Sequence, residues 1–432
     1  MALTRKKLLA FVSGTLWLAI IAARPVLAET LIWAPDQLSE LIEEGLTQNQ
    51  DIQGLEAQVA SLKEEVPFAG SLEDPRLGVA IVNLPVDSFR FDREPMTQKQ
   101  LFIAQKVPWF GKLSLRSQKQ ALRASRQQAV LEARKLELAR QIASTYYELI
   151  FIDRALHINE RLTSLVNQLL RVAETKYASG QGLQQDVLQA QVESSKLLDE
   201  KIVLQKKRRT LEDRLNELLN RPEFAPVPPP AQLDYPNLRL DVKSLAVQSL
   251  QGNPWLRVKQ FEIDEKEVDI QLAKKDYYPN FDFKVAYGQR DEDRTGRSLP
   301  DFVSASVTVN VPLWQHKRQK PKLNATIKSK DAALSSYHNL VQTLPHRVDA
   351  IATEIRDTQE NYKLYADALI LQAGQWARSS LAAYEVGKVE FNTMINAQVR
   401  LLRFELQADR FLYSIYQKRA ELEEILGGPL PQ

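Results

Sequence analysis

PNFDFKVAYGQRDEDRTGRSLPDFVSASVTVNVPLW, residues 279–314, holds two alternating runs around a polar loop. Phe281, Phe283, Val285 and Tyr287 alternate with Asp282, Lys284, Ala286 and Gly288. After the loop 290–300, Val303, Ala305, Val307, Val309 and Val311 alternate with Ser304, Ser306, Thr308 and Asn310. Period two, with one apolar and one small or polar face, is the pattern of a half-buried strand. Strands of about ten residues are long enough to cross a bilayer at a tilt. The strands alone leave two readings open: a soluble hairpin laid on a core, and a membrane hairpin.

The stretch has an earlier copy. Pro75 opens Pro-Arg-Leu-Gly-Val-Ala 204 residues before Pro279, and Val107-Pro108-Trp109-Phe110 answers Val311-Pro312-Leu313-Trp314 at the same offset. Asn49 and Asn253 also stand 204 apart, while Tyr177-Ala-Ser-Gly180 answers Tyr384-Glu-Val-Gly387 at 207. Landmarks at one offset mark a duplicated unit. The chain divides into an N-terminal segment 1–28, a first repeat 29–221, a proline-rich linker 222–238 and a second repeat 239–432. Pro222, Pro226, Pro228, Pro229 and Pro230 cannot occupy a helix interior, so the linker reads as a stiff extended connector.

Each repeat reads helix, strand, loop, strand, long helix, turn, helix. The first has a helix over 36–66, a strand through Leu77, Val79 and Ile81, a charged loop 87–95 and a strand over 98–107. From 112 to 176 there is neither Gly nor Pro, and Leu138, Ile142, Tyr146 and Ile150 recur every four residues. About 64 residues at ~1.5 Å each make a rod of ~96 Å. The second rod spans 318–384, where Pro345 predicts a kink or break. Each rod turns near glycine and returns as a helix of about 40 residues. Leu211, Leu215 and Leu218 keep a coiled-coil spacing in one returning helix, and Leu401, Phe404, Phe411 and Ile415 form a stripe in the other. Rods this long decide for the membrane hairpin. Two hairpins supply only four strands, and about eight are needed to close a barrel with a lumen, so closure requires further copies of the chain. The predicted fold class is therefore mainly α, with duplicated long helical hairpins each interrupted by a β-hairpin.

The N-terminus reads Arg5-Lys6-Lys7, an apolar run 8–23, then Val26-Leu27-Ala28. This is the layout of a secretory signal cleaved after Ala28, since about 16 apolar residues fall short of a span. Removing it takes Arg5, Lys6, Lys7 and Arg24 from the 57 basic residues and none from the 54 acidic ones, leaving a nearly neutral chain. Nothing in that balance asks for a nucleic acid partner. There is no Cys, which excludes disulfides and an N-terminal lipid anchor on Cys. His157, His316, His338 and His346 share no metal-ligand spacing, and no phosphate-binding loop is present. No catalytic residue, metal site or cofactor is expected.

The duplicated layout, Gln105-Lys-Val-Pro-Trp-Phe-Gly-Lys112 and Tyr177-x-x-Gly180 followed by Asp186-Val-Leu together resemble the TolC-like outer-membrane efflux family. The resemblance covers nearly the whole chain after residue 28. Its Pro-Trp-Phe-Gly-Lys form is similar to the branch serving metal and drug pumps of the resistance-nodulation-division type. The resemblance implies a homotrimer in the outer membrane of a Gram-negative cell, with a twelve-stranded barrel continued by an α-helical tunnel across the periplasm. It implies a periplasmic adaptor and an inner-membrane pump as partners, and passive export of small molecules or metal ions without catalysis. A protein-secretion exit duct shares the architecture. A soluble periplasmic coiled-coil scaffold is the rival from another class; it would stay in the soluble fraction.

On this resemblance Pro75, Pro108, Trp109, Phe110, Pro279, Pro312 and Trp314 fall at the junction of barrel and tunnel. Pro108 and Pro312 also read as helix starts, because Pro in a first helical turn forfeits no hydrogen bond. The aromatics suit a membrane interface, with core packing as the alternative. Gly180, Gly182, Leu183, Gly387 and Lys388 form the tips that an adaptor would grip, or plain turns. Asp186 and Tyr384 match gate partners, with a helix N-cap as the alternative for Asp186. The positions of two entrance carboxylates are Thr393 and Asn396, and that of a gate arginine is Val389. The entrance ring therefore lacks those charges.

Overall fold

Asn49 and Asn253, the paired asparagines of the two repeats, hold the long helical rods together. In the computed structural model, which describes residues 36–430 apart from 228–232 and 237, each caps one helix and grips the end of another. The first repeat comprises α1 (Asp36–Gln48), α2 (Gln50–Gly70), β1 (Arg76–Val82), β2 (Gln98–Val107), α3 (Lys112–Ala178) and α4 (Gln184–Leu218). The second comprises α5 (Val242–Gly252), α6 (Pro254–Lys275), β3 (Phe281–Gln289), β4 (Phe302–Val309), α7 (Gln319–Lys363), a π-helical turn Leu364–Leu369, α8 (Ile370–Glu385) and α9 (Phe391–Leu426).

The Asn49 carboxamide oxygen accepts from the Asp51 and Ile52 N–H groups at 3.0 and 3.3 Å, and its nitrogen donates to the Leu218 carbonyl at 3.0 Å. Asn253 repeats this, accepting from Trp255 N–H at 2.9 Å and donating to the Ile425 carbonyl at 2.9 Å. Helix ends leave donors and acceptors unsatisfied. One Asn side chain answers both kinds, so α4 abuts α2 and α9 abuts α6, giving composite rods. The predicted helix 36–66 is thereby two helices divided at Asn49. Gly252 and Gly427 allow the second joint: a Cβ on Gly427, at φ +78°, would stand 2.1 Å from the Gly252 carbonyl oxygen.

α3, 67 residues and ~100 Å long, is the axis against which α1, α2, α4, α6 and α9 pack. The core runs along it in patches. Midway, Ile142, Tyr146, Tyr147 and Leu149 meet Leu38 and Leu41 of α1, Leu215 of α4 and Tyr413 and Tyr416 of α9. Towards the turns, Ile158, Leu162, Val166 and Leu169 meet Leu197, Phe391 and Met394. A third patch joins Leu245, Val348, Ile351 and Ile355 to Ile415, Leu422 and Leu426. In α9 the packed face includes Leu402, Leu412 and Tyr413. Phe404 and Phe411 lie only half-buried, edge-on to Tyr365 of the π turn at 5.5 and 5.3 Å, so the predicted stripe holds only in part.

Four further expectations are corrected. The helix α7 does not break at Pro345 but continues to Lys363, where the π turn Leu364–Leu369 follows. Pro108 and Pro312 lie outside helices: a turn ending in Gly111 at φ +80° precedes α3, and a longer turn precedes α7. β4 ends at Val309 rather than Val311, where Asn280 and Asn310 bond across the sheet end. The linker begins with a turn rather than an extended run, the Ala225 N–H donating to the Pro222 carbonyl at 3.2 Å. Phe224 within it and Asn220 just before it adopt positive φ, Val227 and Leu233 enter the core, and Tyr235 stacks on Tyr362 at 4.7 Å. Cleavage at Ala28 and the run Pro228–Pro230 lie outside the described residues.

Candidate functional site

The two hairpins join into one antiparallel sheet of order β1-β2-β3-β4. Val79 pairs with Leu101, Leu101 with Tyr287, Ile103 with Val285, and Phe283 with Val307. These side chains share one face and are exposed, an apolar surface running across all four strands. The opposite face carries Gln100, Asp282, Lys284, Ser304, Ser306 and Thr308. There Lys284 sits 4.0 Å over the Phe102 ring, and Phe102 fills the space that Gly78 leaves. A sheet whose exposed face is apolar, with two unpaired edges, is incomplete in water. Among the described residues no helix is long and apolar enough to cross a membrane.

At one end of the sheet Trp109 stacks on Tyr278 (5.0 Å) and Phe281 (5.8 Å), beside Phe110. Asn280, which the sequence did not single out, organises this junction. Its side-chain oxygen accepts from the Trp109 N–H at 3.1 Å and from Lys112 Nζ at 3.0 Å. The buried Lys112 also pairs with Asp276 at 3.2 Å. Pro75 and Pro279 lie just ahead of β1 and β3, and Trp314 projects from the turn after β4. The structure thus brings Trp109 and Phe110 to one cluster with Tyr278 and Phe281, on either side of Pro279 and Asn280 in sequence, while Trp314 stands exposed outside it.

At the far end the two helical turns meet. Gly180 and Gly387 have φ of +68° and +74°, which favour glycine. Gly182 N–H donates to the Lys176 carbonyl at 2.9 Å, and a Cβ there would crowd Lys176. Leu183 occupies the N-cap position of α4 without a side-chain cap bond and is exposed, as is Lys388. Asp186 is in the first turn of α4, not at its cap. Burial, with the nearby Glu390 carboxylate, pushes the Asp186 carboxyl up, against an opposing hydrogen bond and Lys176. Tyr384 is buried, and burial and the Asp186 charge raise its hydroxyl. No hydrogen bond joins the two side chains; Lys176 instead lies 4.0 Å over the Tyr384 ring. Thr393 and Asn396 are exposed on α9, and Asn396 joins a polar row with Asn392 and Gln189 at 2.6 and 2.7 Å. Lys176, Gln189 and Asn392 carry no sequence landmark of their own, because their partners Tyr384, Asn392 and Gln189 lie in the other repeat, about 200 residues away.

Fold and sites define a class: an elongated, duplicated helical protein that carries an open-edged sheet with an apolar outer face. More narrowly, the chain belongs to the outer membrane efflux protein family, whose sequence model matches residues 41–221 and 245–428. No curated protein sequence matched it. Among solved structures it is similar to the outer-membrane channel OprN, with 18% identity, TM-score 0.77, and 91% of this chain and 90% of that one covered. It is also similar to the outer membrane protein VceC of Vibrio cholerae at 16% identity, TM-score 0.76, covering 91% of this chain and 97% of that one. For CusC, described for its transmembrane channel formation, the values are 14%, 0.77, 91% and 93%. At these identities the likeness shows the fold, while the family match makes the chain an efflux duct.

Proposed function

We propose that three copies close their sheets into a twelve-stranded barrel in the outer membrane, with the helical rods forming a tunnel through the periplasm. The observation that supports this most is the four-stranded sheet itself, apolar on its exposed face and unpaired at β1 and β4. A closed barrel removes both edges, and a bilayer covers the apolar face. The even-numbered face, with Lys284, Ser304 and Ser306, then lines the lumen. The tips around Gly180, Gly182, Leu183, Gly387 and Lys388 take a periplasmic adaptor, which connects the duct to an inner-membrane pump. Asp186, Thr393 and Asn396 line the periplasmic entrance, with the buried Tyr384 behind them. Small molecules or metal ions pass without covalent chemistry.

Expression with residues 1–28 intact, detergent extraction of outer membranes, and measurement of mass and single-channel conductance test this reading. A trimer with discrete conductance is expected. A water-soluble monomer or dimer without channels would overturn it. In the trimer, Asp186→Ala is expected to raise conductance, whereas Tyr384→Phe, which removes a hydroxyl not bonded to Asp186, should leave it unchanged.

A further inference from the structure

The turn after β4 and the start of α7 carry a charge pattern that barrel closure does not require. No acid occurs between Asp301 and Asp331, while His316, Lys317, Arg318, Lys320 and Lys322 follow Trp314. Backbone bonds compact this stretch: Lys317 and Arg318 N–H both donate to the Trp314 carbonyl, and Lys320 N–H to that of Gln315. Lys322 is used internally, bonded to Asp276 at 2.6 Å. Lys317, Arg318 and Lys320 are exposed, and none has a side-chain partner among the described residues. Beside them Val311, Leu313 and Trp314 are 64%, 72% and 68% exposed. The Asn280–Asn310 bond ties this turn to the level of the Trp109–Tyr278–Phe281 cluster.

The first repeat makes the same junction differently. At the 204-residue offset, Lys317, Arg318 and Lys320 correspond to Leu113, Ser114 and Arg116. The first junction therefore forms without an exposed triplet of cations, which only the second repeat carries at these positions.

We infer that Lys317, Arg318 and Lys320 hold the phosphate of an anionic phospholipid in the periplasm-facing leaflet, with Leu313 and Trp314 seated at its acyl boundary. This rests on the membrane reading above. Basic residues just outside a membrane segment attract anionic headgroups, and Trp prefers the headgroup level. Each cation near such a surface contributes about fivefold, so three amount to roughly a hundredfold. The competing use of these cations is a neighbouring copy's acids. Glu73 and Asp74 are exposed ahead of the edge strand β1, which would adjoin β4 of the next copy.

The test is native mass spectrometry of the full-length trimer titrated with phosphatidylglycerol or phosphatidylcholine, alongside insertion into vesicles of phosphatidylcholine alone. The variant is K317Q/R318Q/K320Q, and Arg294→Gln in the opposite loop is the control. The trimer is expected to retain phosphatidylglycerol over phosphatidylcholine. The triple variant should lose about a hundredfold of that preference while still inserting into neutral vesicles as a trimer; the control should lose none. Equal retention of both lipids, or a preference unchanged in the triple variant, would overturn the inference. So would a triple variant that dissociates to monomers with its lipid preference intact, which would assign the cations to Glu73 and Asp74 of a neighbour. Failure of the unaltered protein to insert into any vesicle would instead sink the barrel reading, and this one with it.

Discussion

At the scale of single residues, the joints between helices are where the chain tolerates least. Asn253→Ala removes an N-cap acceptor and leaves the Ile425 carbonyl without its donor. Loss of a cap costs about 1–2 kcal/mol, so a lowered thermal midpoint in detergent is expected, and Asn253→Ser should recover part of it. Gly427→Ala combines a positive φ with a backbone contact that cannot yield, and should cost more than Asn253→Ala in the same melt. Glu148 gives a pH signature. Burial pushes its carboxyl up, but Lys207 and Arg410, at 2.6 and 2.9 Å, outweigh that and leave it below the usual range. A depressed folded pKa gives stability that is complete above the unfolded carboxylate value near 4.3 and fades as pH falls through the folded one. Glu148→Gln should therefore lower the melting point at neutral pH, and the gap to the unaltered protein should close in acid below about pH 4.3. These partners come from α4 and α9, which is why the sequence singled out none of the three residues.

At the scale of elements, the sheet faces and the π turn have opposite legibility. Val285 lies at the middle of β3 on the apolar face, and Ser306 on the polar one. Val285→Arg should cost about 2–4 kcal/mol at a bilayer midplane and reduce the protein recovered in outer membranes. Ser306→Arg should insert normally and alter conductance instead. Strict alternation makes both faces readable from the chain alone. The π turn is not readable that way, since Leu364–Leu369 contains neither Gly nor Pro. A π turn accommodates one extra residue in an α-helix. Deleting Asp367 should let the flanking helices keep their facing, with folded protein close to normal in yield. Deleting Ala352, buried in the regular part of α7, turns the side chains between it and the π turn by about 100°, Ile355 among them, and should sharply lower the yield of folded protein. Pro345 does not end α7: Leu344 and Val348 on either side of it pack into the core, and the helix is continuous there.

At the scale of the whole molecule, the open sheet predicts its own closure. The chain has no cysteine, so introduced thiols are unique labels. Val79→Cys combined with Val307→Cys places one thiol on each edge strand, β1 and β4. A short bifunctional thiol reagent applied to membranes should yield covalent dimers and trimers by denaturing electrophoresis. Each single variant should give far less, because a closed ring pairs β1 of one copy with β4 of the next. Intramolecular cross-links alone would speak against a ring.

The sequence by itself determined the duplicated order of elements, the strand faces and the near-unbroken rods, because periodicity and the placing of Pro and Gly are local properties of a chain. It also carried the resemblance to the efflux family through short motifs at the junction and the first tip. Only the tertiary structure decided how the pieces meet. Asn49 and Asn253 splice helices about 170 residues apart in sequence, Asn280 rather than a proline organises the junction, and Lys176 rather than Asp186 packs on Tyr384. Such contacts depend on which distant groups folding brings within hydrogen-bond reach, and no local pattern encodes that distance.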